Sequence, residues 1–409
     1  MSSFKVTYIL IISVLFLSAC SSKFADENVP SSLKKDSDST ALIASEDDFS
    51  NICITPSETF AYSVFPHDDL IQIEKTLPPD PWQLVAPIMS DFEFGNVYGI
   101  RSQKDHQEIW IGFLYYDKFL TYEPASKEWG EVEIGLGDQI QIEELFFTQD
   151  GSVYAVPYMR DRDKSSEMSV LSKYNEETKT FEFIELLQEI PLASNENAYE
   201  VTQVAYDEQR ELFWFLVPDD AIYSFVPETQ KLKKYIDIPE EEIFDISKVR
   251  VSSTGKVYFQ SRLKTVTTNE DMRLVEFDPD LNSIRKYGMP LTPWPLGNGI
   301  YIDHSDRIWF SAVGWMDSDR RWYQMIPSPI FISNVRFSGM DYRWQSPEIY
   351  LESKDGRLWM GFDHGMVWLD PDEEEWCWFT TEESNIHEDK DGNLWMIAYD
   401  SLYKLPIND

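Results

Sequence analysis

Lys354-Asp355-Gly356-Arg357-Leu358-Trp359-Met360 returns further along the chain as Lys390-Asp391-Gly392-Asn393-Leu394-Trp395-Met396. Asp and Gly are turn chemistry: Asp bonds its own backbone and Gly takes a positive φ. The aliphatic and aromatic residues that follow have the two-residue period of a strand. Weaker copies lie upstream at Ser305–Phe310, Thr254–Phe259, Gln209–Trp214, Asp150–Tyr154 and Gln107–Ile111. Several continue into a second strand that ends at proline: Phe119–Pro124, Leu274–Pro279 and Met366–Pro371. An aromatic strand then closes the unit, at Trp129, Phe181–Phe183, Tyr235, Tyr287 and Trp376–Trp378. A repeat of this kind cannot bury its apolar face alone and needs its neighbours.

Four short strands per unit of about 50 residues is the β-propeller pattern, so the expected class is all-β with four-stranded blades. The core Asp-x-x-Gly-x-Leu-Trp resembles the two-component-regulator propeller repeat and is similar to streptogramin-lyase-like propellers. The resemblance covers roughly residues 96–405 and is closest at 353–371 and 389–405. It implies a seven-bladed disc; the unequal unit lengths leave six or eight blades open. The last unit has strands near Ile386, Leu394–Ala398 and Leu402–Leu405, and then the chain stops. A missing fourth strand would leave an open edge. Residues 51–92, with strand-like pieces at Ala61–Phe65 and Leu70–Glu74, are expected to supply the outer strand of that last blade. The domain reading is therefore a signal at 1–19, a tether at 20–50 and a propeller at 51–409.

The signal reading rests on Lys5 and the apolar run Val6–Leu17, which is too short to span a bilayer and fits the core of an export signal. It ends in Leu17-Ser18-Ala19-Cys20, which resembles the bacterial lipobox. That resemblance implies lipidation of Cys20 and cleavage before it, and two or three acyl chains make a durable anchor. A plain cleaved signal peptide is the other reading. Residues 21–50 are mostly Ser, Lys, Asp and Glu, and about 30 residues of coil span roughly 30 Å. The expected address is the cell membrane or envelope, lipid-anchored on the extracytoplasmic face. No later apolar stretch approaches the roughly 18 residues that a membrane span needs.

With 72 Asp and Glu against 35 Lys and Arg, the formal charge is −37, and nucleic acid is a poor partner. Hydrophobic residues at 43% set the chain apart from disordered acidic proteins. Cys53 and Cys377 are expected outside the cytoplasm, where disulfides persist. They are candidates for a bond that locks the ring; two separate buried thiols are the alternative. The histidines show no zinc spacing, the chain has no phosphate loop and no serine-hydrolase elbow, and no metal or cofactor is assigned. His387 falls in an innermost strand and can look into the central channel, and His364 lies in the loop Asp363-His364-Gly365.

Ligand-contact candidates are aromatics beside acids, which stack on a ring and accept its hydrogen bonds: Trp315 with Asp317, and Tyr399 with Asp400. Asp363, His364, His387 and Arg160, in the charged loop at 160–164, complete the set. The competing reading for each is turn chemistry or packing between blades. The expected role is a binding, sensing or scaffold module for a protein, peptide or glycan, more readily than an enzyme. The alternative is a metal-dependent lyase or hydrolase with its site at the channel. Fold alone does not choose between them.

Overall fold

The computed structural model describes the strands and tight turns between residues 82 and 406, apart from several connecting loops, with two further strands at 52–54 and 71–73. The signal and tether calls, Cys20 included, lie outside the described residues, as does Ala61–Phe65. All described residues fall in one compact unit, Glu46–Asp409. No helix among them is long and apolar enough to cross a membrane.

Seven antiparallel sheets form the blades of a closed propeller. Their inner strands, in blade order, are Val97–Ser102, Ile140–Phe147, Gln203–Asp207, Glu242–Val251, Ile300–Ile302, Glu348–Glu352 and Asn385–Glu388. The inner strand of blade seven packs against that of blade one, which closes the circle. Burial follows radius. The second strand of blade three, Leu212–Val217, is buried at every position. Its outer strand, Lys231–Asp237, is half-buried or exposed at every position. Between blades the core is aromatic: Trp214, Trp309 and Trp395 are among the largest fully buried side chains.

The indole N–H of each such Trp needs an acceptor when buried. A polar side chain at the start of the turn, just before the strand carrying the Trp, supplies it. Trp214 donates to Asp207 Oδ2 at 3.3 Å, Trp309 to Asp303 Oδ2 at 2.8 Å, and Trp395 to Asp389 Oδ2 at 2.8 Å. In blade six Ser353 Oγ takes that place, 3.0 Å from Trp359 Nε1. The other carboxylate oxygen organises the turn: Asp303 Oδ1 accepts the backbone N–H of Ser305 and of Arg307, both at 2.9 Å. One acid therefore caps the turn and anchors the core ring above it.

These turns also reach the next blade. Gln149 Nε2 donates to Glu208 O at 2.8 Å, Arg210 Nη1 to Gly255 O at 2.9 Å, and Ser253 N–H to Asp306 Oδ1 at 2.9 Å. His304 N–H donates to Glu352 Oε2 at 2.5 Å and Lys354 N–H to Glu388 Oε1 at 2.7 Å. The result is a belt of hydrogen bonds running from blade two to blade seven along one face. Burial pushes the Glu352 and Glu388 carboxyls up.

Ring closure follows the expectation in kind and differs in detail. The fourth strand of blade seven is Gln83–Pro87, antiparallel to Ser401–Leu405 with Gln83 opposite Lys404 and Pro87 opposite Ser401. Trp82 and Ile88, 8% and 5% exposed, flank it as two pegs. Trp82 meets Trp359 of blade six edge-on at 6.0 Å, and Ile88 packs with Ile100 and Ile109 of blade one. The strand at 71–73 lies within the expected piece at 70–74 but pairs in parallel with Val335–Phe337, in a small separate sheet. A further strand, Ile52–Ile54, adds a fifth member to blade six. Its register sets Cys53 opposite Cys377. Cys377 is 5% exposed and disulfide-bonded.

Candidate functional site

The rim of blade five gathers side chains that could meet a ligand. Blade five is built from short strands, and alternate residues point to opposite faces. Ile308, Phe310 and Met316 pack with Tyr258 and Leu274 of blade four. The other face carries Trp309, Trp315 and Tyr323, which are direct partners across three successive strands. Trp309 is fully buried, Trp315 half-buried and Tyr323 41% exposed. Trp315 lies 4.9 Å from Trp309, and 5.4 Å from Tyr323 with 14° between the planes. The three rings make a ladder from core to rim that ends in a stacked, accessible pair.

Asp317 follows directly. Its Oδ1 accepts the Arg321 N–H at 2.9 Å, a bond that holds the carboxyl below its usual range. It also accepts from the Tyr323 side chain and the Asp319 backbone, and so stays ionised across neutral pH. The same hairpin is fixed to blade four by Arg320, whose guanidinium pairs with the buried Glu276 carboxylate and donates to Tyr258 Oη at 2.9 Å. Lys256 Nζ holds the other Glu276 oxygen at 2.9 Å. Burial pulls the Glu276 carboxyl up, but Lys256 and Arg320 outweigh it and hold it below normal. The rim is thus mounted on a satisfied, rigid ionic cluster.

The inner strands add a set of side chains packed between the blades. In each blade the buried aromatic of the second strand has a partner on the inner strand. These partners are Arg101, Phe146, Ala205, Arg250, Tyr301, Leu351 and His387, one per blade. Arg101 sits between neighbours. Its Nη2 is 3.9 Å from Glu144 Oε1 of blade two, and its charge acts on His387 of blade seven. Burial first, and Arg101 second, push the His387 imidazole down to about 3, so it is neutral at physiological pH. Tyr301 accepts the Glu352 N–H at 2.8 Å, and burial drives its phenol far above its ordinary value.

Of the residues singled out in the sequence, Trp315 and Asp317 share the blade-five rim, and His387 lies on the inner strand of blade seven, separate from them. Asp363, His364, Tyr399 and Arg160 lie outside the described residues. Among the described residues, no group of three or more His, Cys, Asp or Glu side chains comes together to hold a metal. Sequence reading missed Tyr323. Tyr323 carried one usable signal, its place in the strand-period run Trp322-Tyr323-Gln324 after a turn.

No family model matches the chain, and no curated protein does. Solved structures do. The extracellular domain of a B. thetaiotaomicron protein assigned to the hybrid two-component systems aligns at 13% identity over 81% of this chain and 41% of that one, with a TM-score of 0.50. YCF48 bound to a D1 peptide aligns at 11% identity over 82% and 97%, with a TM-score of 0.48. A gluconolactonase from Xanthomonas campestris aligns at 10% identity over 80% and 89%, with a TM-score of 0.43. Such identities show the fold alone. By fold, the chain is a seven-bladed β-propeller like the extracellular domains of Bacteroides hybrid two-component systems. It spans less than half the length of that neighbour.

Proposed function

We propose that the chain is a lipid-anchored, extracytoplasmic binding module that takes a glycan on the rim of blade five. The observation that carries this reading is the Trp315–Tyr323 stack beside the ionised Asp317. A sugar ring lies flat on an aromatic face, and a carboxylate accepts its hydroxyls. The ladder down to Trp309 and the Arg320–Glu276 cluster behind it pre-organise the platform, which lowers the ordering cost of binding. Cys20 carries the anchor in this reading, and residues 21–50 the tether. Cys53 is the disulfide partner of Cys377, as its register supports and an oxidising compartment would permit. Sensing or scaffolding would then be uses of the same bound state.

The test is a glycan array probed with the full chain and with Trp315→Ala, alongside a peptide array and an intact-mass measurement. The reading expects glycan hits that Trp315→Ala abolishes, and a mass increase on Cys20 matching a diacylglyceryl group. Peptide hits alone would replace the glycan with a peptide ligand. Glycan hits indifferent to Trp315→Ala would move the site elsewhere.

A further inference from the structure

We propose that the groove on the outer flank of blade two, beside blade three, is a second binding site, and that its ligand is a linear aliphatic polyamine. The inference rests on this groove alone and is independent of the blade-five platform.

The groove has a volume of about 910 Å³, within the range of small-molecule sites. Most of its wall comes from blade two: the turn before the second strand Val153–Met159, the third strand Ser172–Asn175, the outer strand Thr180–Phe183 and the short helix Glu185–Glu189 that follows. Gln230, in the turn before the outer strand of blade three, completes it. The lining is of two kinds. Phe183, Ile184 and Leu186 are apolar, and Ile184 and Leu186 are seated on the core shared by blades two and three. Such a wall takes a chain of methylenes out of water.

The other kind is acidic: Asp150, Glu176, Glu182 and Glu185. Asp150 is already used, by Thr148 Oγ1 at 2.5 Å and by the Ser152 N–H at 3.0 Å. Lys173 is the only cation among the described residues that line the groove. It is the cross-strand neighbour of Tyr154 and Glu182, its ammonium lies 5.5 Å from the centre of the Tyr154 ring, and its charge acts on Asp150. Glu182 is held by Asn175 Nδ2 at 2.8 Å, and Glu176 and Glu185 form no ion pair among the described residues. The groove thus carries a surplus of negative charge beside an apolar wall.

The spacing of the acids selects the shape of the cation. Among the described residues no three His, Cys, Asp or Glu side chains converge as a metal site would need. The carboxylates are strung along the groove instead. Ile184 is extended, so Glu182 and Glu185 are separated by about 10 Å of backbone. Glu176 lies on the far side of the outer strand, in the turn that the Lys179 N–H closes onto Asn175 O at 2.8 Å. A metal ion would meet one carboxylate and no apolar partner. A chain with ammonium groups at intervals meets several and lays its methylenes on Ile184 and Leu186. Tyr174 and Phe183 add aromatic rings to the lining, and an alkylammonium is attracted to such rings.

Titration calorimetry of the full chain in detergent tests the site, at about 0.15 M salt so that loose surface attraction is screened. The probes are spermidine, butylamine and Mg²⁺. The expected result is one spermidine bound per chain, with butylamine much weaker and Mg²⁺ unable to displace it. Glu182→Gln and Glu185→Gln should each weaken spermidine about three- to tenfold, as loss of one charge-assisted contact implies. Glu128→Gln, which removes the same charge from the exposed edge of blade one, should leave the affinity unchanged. Glu182 and Glu185 are exposed, so circular dichroism of their variants should match the parent. Hydrogen exchange of the unaltered chain is a second readout: spermidine should slow exchange at residues 172–186 and not in blade five. Many weak spermidines with no tight one, equal losses in Glu128→Gln and the groove variants, or unchanged exchange at residues 172–186 would overturn the proposal. A lysine-rich peptide that protects residues 172–186 where spermidine does not would also overturn it and assign the groove to a protein partner. Spermidine binding intact in Trp315→Ala would show the groove to act separately from the glycan rim.

Discussion

Asp303 shows at the level of one side chain how this fold buries charge. Its carboxylate is 3% exposed and accepts from Trp309 Nε1, from Arg307 Nε at 2.5 Å and from two backbone N–H groups. Every lone-pair direction is used, which is the condition for burying an ion without a large penalty. Removing it would orphan a buried indole donor and a half-buried guanidinium together. Asp303→Ala should therefore lose about 2–4 kcal/mol of stability in denaturant titration, against less than about 0.5 kcal/mol for the exposed Asp372→Ala. Equal losses would mean that the acid does not anchor the blade. The sequence showed the repeating Asp-Gly turns and the Trp of each strand, because both obey local rules. It did not show that the acceptor for the indole lies upstream, at Asp207, Asp303, Ser353 and Asp389. That link depends on how the chain bends back through the turn.

At the scale of elements, the inter-blade belt makes the turns structural parts and not mere connections. Gly255 has a φ of +72°, where a side chain is strained, and an added Cβ would lie 1.4 Å from Arg210 Nη1 of the neighbouring blade. Gly356 has a φ of +85° in the equivalent turn of blade six, with open space around it. Gly356→Ala should cost only the backbone penalty, about 1 kcal/mol. Gly255→Ala should cost about 1–2 kcal/mol more, because Arg210 must release Gly255 O. Matching melting temperatures for the two variants would show the belt to be unimportant. The same scale explains what sequence reading could and could not see of the site. Trp315 and Asp317 are adjacent enough to be noticed. Tyr323 joins them only through strand register. The strand at Ile52–Ile54 was equally hidden, since three residues carry no readable period.

For the molecule as a whole, everything depends on the circle being shut by a segment from the far end of the chain. Blade seven takes three strands from residues 385–405 and its fourth from Gln83–Pro87, while Trp82 and Ile88 reach into the gaps on either side. Without that strand the edge of Ser401–Leu405 would be bare and the blade six–seven and seven–one cores would each lose a peg. The blade-five platform presupposes a disc held in one shape. The most direct measurement compares thermal unfolding of a chain starting at residue 46 with one starting at residue 91. The first should melt in one cooperative transition. The second should melt much lower or aggregate on folding, with its exposed strand edge as the cause. If the two chains melt at the same temperature with the same cooperativity, the ring is not closed by its amino-terminal strand, and the account of the closed disc fails with it.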